Sequence, residues 1–254
     1  MKKWLAGLAA VFSLIAVWQV AAFFLPPFLL PGVPKTAARL VRLAGDPNFY
    51  AGVKLSLIRL GAGWTAGVVL GAVLGLLSGL SRPFAAYLRS LIAILQSIPP
   101  ITWAPFLIIL FGFGNIPIIT VVAIATFFPM ALSVMNATEG VNRTHLELAQ
   151  VMGASRGQLL TKVYAPEALP AFVTGAQVAF GNGWRSLIAG EMVVGASKGL
   201  GWSIHYAGEV ADMAGVLVGI AVIGAIASAI DHVLLEQAKR RLLRWRSTAG
   251  EEAA

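Results

Sequence analysis

The chain has no cysteine and little charge. Without cysteine, neither a disulfide nor a thiolate metal site can form, and the redox compartment leaves no mark on the sequence. Only 12% of the 254 residues are charged, about half the share of an ordinary soluble domain. The three histidines, His145, His205 and His232, stand apart with no paired ligand spacing, so no metal site is expected. A phosphate-binding loop is also missing. Gly153 to Thr161 and Gly195 to Ser203 contain glycine, but neither follows the order Gly, four residues, Gly, Lys, Ser or Thr. What the chain has instead is 58% hydrophobic residues, gathered in uncharged runs. The net charge of +8 does not point to nucleic acid, because the basic residues lie between and beyond those runs rather than along one polar face. They read as topological signals.

A helix needs about 20 apolar residues to cross a bilayer, and the runs supply six such spans within a single transmembrane domain, residues 1–254. The first covers residues 4–25. It follows Lys2 and Lys3, has no small-residue cleavage site behind it, and is read as a retained helix. Pro26, Pro27, Pro31 and Pro34 end it. Residues 35–44 then mix Leu40, Val41 and Leu43 with Lys35, Arg39 and Arg42, the pattern of a short helix at the membrane surface. The second span, residues 60–80, carries Gly63, Gly67, Gly71, Gly75 and Gly79 at a four-residue repeat, which predicts a face for close helix packing. Ser90 to Thr138 is uncharged for 49 residues. That is enough for spans at 90–111 and 116–137, with a turn at Gly112, Gly114, Asn115 and Pro117. Spans five and six are expected at 168–194 and 213–230, followed by a basic cytoplasmic tail over 236–254.

An N-terminus inside places Lys2, Lys3, Arg82, Arg89, Arg143, Arg156, Lys162, Lys239, Arg240, Arg241, Arg244 and Arg246 in the cytoplasm. Those 12 face 6 outside: Lys35, Arg39, Arg42, Lys54, Arg59 and Lys198. The bias puts both termini in the cytoplasm.

Between spans four and five, residues 139–167 form a long polar connection. Leu146, Ala149 and Gln150 precede a break at Gly153, after which Ser155 and Gln158 have the spacing of a capping box. The expectation is helix, glycine turn, helix. On composition alone this is a solvated loop with one amphipathic helix. Its spacing says more. Glu147, Leu148 and Ala149, then Gly153, then Val163, Tyr164, Ala165 and Pro166 resemble the EAA loop of ABC importer permeases: Glu-Ala-Ala, three residues, Gly, nine residues, Ile, one residue, Leu, Pro. Leu148, Val163 and Ala165 depart from it in identity, and all three are apolar. Further along, Ser56, Leu57, Arg59 and Gly63; Ile98, Pro99, Pro100, Trp103, Pro105, Phe111, Gly112 and Gly114; and Glu191, Met192, Gly195, Ala196, Gly199, Leu200 and Gly201 resemble the subfamily that imports nitrate, taurine and alkanesulfonates.

The resemblance implies an all-α integral membrane protein of the type I ABC importer kind, in a bacterial inner membrane. It implies a homodimer in the lipid bilayer, two cytoplasmic ATPase subunits that hold ATP and Mg, and an extracytoplasmic substrate-binding protein. This chain would carry no cofactor and no catalytic residue. Glu147, Leu148, Ala149, Gly153, Ala154, Ser155 and Pro166 would form the contact with the ATPase.

Three residues are candidates for the translocation path. Arg185 and Glu191 are charges inside a span, where exposure to lipid is costly. Arg185 either faces a cavity and binds an anion through two parallel hydrogen bonds, or is neutralised structurally, for example by Glu191 of a second subunit. Glu191 lies in the stretch resembling the subfamily and is assigned to an outer gate or to packing. Trp103, between Pro100 and Pro105, either borders a path on a kinked helix or faces lipid or the interface. Asp231 and His232 are read as interfacial. Two alternatives stand beside the importer of small anions: a secondary transporter driven by an ion gradient, which usually has inverted repeats, and an ABC importer of a non-anionic nutrient.

Overall fold

Proline and glycine set the helix boundaries in this computed structural model, which describes residues 2–195, 197–235 and 237. The predicted tail over 236–254, with Lys239, Arg240, Arg241, Arg244 and Arg246, lies outside the described residues apart from residue 237, as does Ala196. In chain order the helices are α1 (Lys2–Phe24), α2 (Val33–Ala44), α3 (Pro47–Ser78), α4 (Arg82–Leu95), and a 3-10 turn (Pro100–Trp103) leading into α5 (Ala104–Phe111). There follow α6 (Asn115–Glu139), α7 (Arg143–Val151), α8 (Arg156–Leu159), and a π-helical turn (Leu160–Tyr164) leading into α9 (Ala165–Val193). The last are α10 (Leu200–Glu209) and α11 (Met213–Ala229), extended by a π-helical turn (Ile230–Leu235). No strand occurs among the described residues.

The chain divides into two compact units, Met1–Leu55 with Ser197–Ala225, and Ser56–Ala196 with Ile226–Ala254. In the first, the turn between α1 and α2 is tied by Trp18 Nε1 donating to the Pro31 carbonyl at 3.1 Å and by Val33 N–H donating to Gln19 Oε1 at 2.8 Å. Pro34 sits in the opening turn of α2, where its missing N–H has no intrahelical acceptor to forfeit.

The second unit is built around α6. Its buried side includes Ile118, Val121, Val122, Met130, Ala131 and Met135, all fully enclosed. Glycines of α3 let that helix press directly on it: a Cβ built at Gly67 would stand 2.0 Å from Thr126 Oγ1 and 2.4 Å from the Ala123 carbonyl oxygen. Gly63, Gly71 and Gly75 make similar approaches, each within 2.8 Å of α6 atoms, so the four-residue glycine repeat is the packing face the sequence predicts. From the other side α9 contributes Gly175 against Ser133 and Gly183 against Thr126. Close approach of this kind suits lipid, where packing rather than apolar burial holds helices together. Two side-chain bonds fasten the layer: Trp64 Nε1 donates to the Ala176 carbonyl at 3.1 Å, and Ser133 Oγ to the Ala171 carbonyl at 2.8 Å.

The predicted boundaries change in two places. The second span begins earlier, at Pro47, within a helix of 32 residues. The third, expected as one helix over 90–111, is a bent pair: α4 and the Pro100–Phe111 segment meet at 83°. Consecutive Pro99 and Pro100 supply no backbone N–H and force the residues before them out of helical geometry. Pro105 does not add a kink, because it falls in the first turn of α5. Among the described residues, Pro47–Ser78, Asn115–Glu139 and Met213–His232 are long and apolar enough to cross a bilayer, and the bent pair qualifies if taken together.

Candidate functional site

Two charges of the second unit, Arg59 and Glu191, are buried and joined in one network. Glu191, near the end of α9, is 0% exposed, and Arg59 on α3 is 3% exposed. Arg59 Nη1 meets Glu191 Oε1 at 2.7 Å, and Ser56 Oγ, one turn earlier on α3, lies 2.7 and 2.9 Å from the two carboxylate oxygens. Arg59 Nε donates to Asn115 Oδ1 at 2.8 Å. Asn115 opens α6 directly behind a turn in which Gly112 and Gly114 have φ of +74° and +140°. The network therefore joins α3, the entry to α6 and the end of α9. Arg59 does not belong among exposed loop cations, and removing it leaves 5 of the 6 outer basic residues against the 12 inner ones. Glu191 is likewise engaged within its own chain.

The connection at 139–167 holds helix, glycine turn and helix in that order. Asn142 caps α7, its side chain accepting from Thr144 N–H at 2.9 Å. Gly153 has φ of +79°, a region where other residues are strained. Behind it the Ser155 and Gln158 capping box forms in both directions. Leu146 and Ala149 of α7 and Ala154 of the turn pack on buried Val141, Leu159 and Tyr164, together with Leu76 at the end of α3 and Leu80 in the turn behind it. Burial pushes the Tyr164 phenol above its ordinary pKa. The opposite side of α7 is open: Leu148, Val151 and Met152 are 59%, 87% and 79% exposed, and Glu147 and Ser155 are exposed beside them. His145 Nδ1 reaches Glu167 Oε1 at 2.6 Å. The π-helical turn that follows bonds Ala165 N–H to the Leu160 carbonyl, five residues back, next to exposed Pro166, which has no N–H to continue the regular pattern.

Arg185 is exposed on α9 and donates from Nη2 to Asn182 Oδ1 at 2.6 Å. It lines an open hollow of about 490 Å³ with Gln177, Gly181, Trp184 and Asp231, and the Trp184 ring is stacked on Phe180 with centroids 6.3 Å apart. Trp103 is not in this hollow. It is half-buried in the 3-10 turn, edge-on to Phe106 at 6.4 Å, and its Nε1 is buried without a hydrogen-bond partner.

A second hollow, of about 330 Å³, lies within the first unit between α2, α10 and the start of α11, with Trp202 and Tyr206 stacked at 5.1 Å on its wall. Arg39 Nε and Asp212 Oδ2 pair there at 2.9 Å. Burial alone would raise the Asp212 carboxyl, but Gly215 N–H, the Arg39 guanidinium and the charge of Lys35 outweigh it and hold the group below its ordinary value. No group of three or more His, Cys, Asp or Glu side chains able to hold a metal occurs among the described residues.

Comparison with known proteins agrees with this architecture. Residues 67–243 match the family described as binding-protein-dependent transport system inner membrane component. Over 239 residues the chain is 33% identical to the taurine transport system permease protein of Escherichia coli (strain K12), covering 91% of this chain and 86% of that one. It is 27% identical over 249 residues to the bicarbonate transport system permease protein of Synechococcus elongatus, covering 91% and 90%. Among solved structures, the MetNI methionine ABC transporter in its inward facing conformations has a chain of the same fold. That match has a TM-score of 0.65 at 22% identity and covers 78% of this chain and 95% of that one.

Proposed function

Because the chain belongs to the family of binding-protein-dependent transport system inner membrane components, we propose that it forms, as a homodimer, the path of an ATP-driven importer for a small anionic solute. Membership makes it a multi-pass inner-membrane permease and not a catalytic enzyme. In the proposed assembly two cytoplasmic ATPase subunits hold ATP and Mg, an external binding protein delivers the solute, the chain crosses the membrane six times, and both termini lie in the cytoplasm.

One observation carries the coupling role. α7 is packed on one side against the end of α3 and leaves Leu148, Val151 and Met152 open on the other. A short helix with an open apolar face, followed by a glycine at φ +79°, suits insertion into a groove of a partner. Its inner contacts would pass the partner's movement to α3 and, through the glycine contacts, to α6. That is coupling between two states of a packed bundle and needs no chemistry in this chain. For the solute, the taurine and bicarbonate permeases both handle small molecules with an anionic group, and Arg185 is a guanidinium suited to such a group.

Glu147→Arg, which reverses a charge on the exposed side of α7, is expected to leave the chain in the membrane while ATPase association falls about tenfold or more. Gly153→Pro is expected to do the same, since proline cannot adopt positive φ. Co-purification from detergent extracts reads both, and normal association in both variants would remove the coupling role.

A further inference from the structure

His145 and Glu167 stand near the two ends of the connection at 139–167, one in the first turn of α7 and the other in the first turn of α9. Nδ1 and Oε1 are 2.6 Å apart. An ionised carboxylate only accepts, so Nδ1 is the donor. The two side chains are 60% and 33% exposed. His145 is four residues ahead of Ala149 and so shares its side of α7. That side packs on Val141, Leu159 and Tyr164 and is not the one that carries Leu148 and Val151.

Along the chain the two residues are 22 apart. The covalent path between them passes Gly153 at φ +79°, the π-helical turn Leu160–Tyr164 and Pro166, which has no N–H to bond. Helices bend at such places, so movement of α7 is taken up along this path. The hydrogen bond bypasses all three. From Glu167, α9 continues as one helix to Val193. Glu191, 24 residues beyond Glu167 and about 36 Å along a helix axis, belongs to the buried network with Arg59 and Ser56.

We infer that the His145–Glu167 hydrogen bond is a tie that passes movement of α7 directly to α9, with His145 as a positioning residue for the helix that ends in the Arg59–Glu191 network. The inference rests on the importer reading and adds a second route to the one through α3 and α6. The tie lies apart from the open face of α7 that is proposed to meet the ATPase. Association and transmission are therefore separable by mutation.

The test is ATP hydrolysis by the permease and its ATPase subunits assembled in nanodiscs, supplied with ATP and Mg, with and without the external binding protein. In the proposed assembly the binding protein and the ATPase communicate through this chain, so the increase in hydrolysis on adding the binding protein reads transmission. An exposed ion pair adds little to stability, and His145→Ala should melt within about 3 °C of wild type and co-purify with the ATPase as wild type does. Its increase in hydrolysis should fall about threefold to fivefold, the upper range for one exposed pair. His145→Asn, whose Nδ2 takes the place of Nδ1, should recover most of the increase. His145→Leu, of similar bulk without a donor, should not. Glu167 also stands at the positive end of α9, so Glu167→Ala is read in combination: the double variant with His145→Ala should be no more impaired than the worse of the two single variants, as for one shared contact.

An increase equal to wild type's in His145→Ala, or an Asn variant no better than the Leu variant, overturns the inference. Loss of ATPase association in His145→Ala also overturns it, by making His145 part of the docking surface. In each case the coupling role of α7 stands as long as Glu147→Arg loses association. A wild-type complex whose hydrolysis does not respond to the binding protein brings down the importer reading itself.

Discussion

Arg59→Ala should destabilise the protein by about 3–5 kcal/mol, because it strips the guanidinium from a carboxylate that remains fully enclosed. Glu191 is 0% exposed and cannot recover the loss by turning to solvent. Ser56 Oγ stays within 2.9 Å, but its hydroxyl carries no charge to replace the guanidinium. The pair itself is a different matter from its broken half. Replacing both partners by apolar residues removes both buried charges at once, and such exchanges are often neutral or better. The double variant Arg59→Met with Glu191→Leu should therefore regain at least half of what Arg59→Ala loses. Thermal unfolding in detergent, followed by size-exclusion chromatography, reads both. A drop on the order of 10 °C is expected for the single variant. An Arg59→Ala protein within about 1 kcal/mol of wild type would show that the network does not hold α3 to α9. Transport by the double variant then separates packing from gating: activity close to wild type means the charges only hold the helices, and lost activity in a stable protein means they take part in the movement.

The second large effect belongs to Gly67. Any side chain there meets Thr126 Oγ1 at 2.0 Å and the Ala123 carbonyl oxygen at 2.4 Å. Thr126 can rotate away, but the carbonyl is part of the α6 backbone and cannot. Even Gly67→Ala must push the two helices apart, and Gly67→Leu is expected to cost about 3 kcal/mol or more, at the upper end of overpacking effects. Gly61, on the same helix, has nothing within 4 Å of its would-be Cβ. There the change to alanine should be neutral or stabilising by up to about 1 kcal/mol, the difference in helix propensity. Equal melting temperatures for Gly67→Leu and Gly61→Ala would contradict the packing described for α3 and α6.

These contacts were not equally legible in the sequence. The glycine face was, because a four-residue repeat in an apolar run already names a helix side. The connection at 139–167 was legible for the same local reason: Gly153, Ser155 and Gln158 encode a turn and a cap within six residues. The partner of Glu191 was not. Arg59 stands 132 residues away, and an ion pair at that separation leaves no periodic trace, so Arg59 looked like one more basic residue at a span's edge. Two signals could have found it. Ser56 and Arg59 are three apart on one helix face, and a lone carboxylate within a span needs a partner. Asp231, at the end of an apolar run, reads as interfacial, and only folding shows that Gln177 of α9 donates to it at 3.0 Å. The bend before Pro100 was announced by two consecutive prolines, but its 83° angle depends on what the flanking helices pack against.

Uptake into proteoliposomes bears most directly on the central claim, that this chain is a path moved by a separate ATPase. Liposomes holding the chain and its ATPase subunits, with the external binding protein added, are loaded with ATP and Mg and supplied with labelled solute, with no ion gradient imposed. Uptake should occur, and it should cease when the ATPase subunits are left out or ATP is replaced by ADP. Uptake that continues without the ATPase and follows an imposed proton or sodium gradient would contradict the claim and make the protein a secondary transporter.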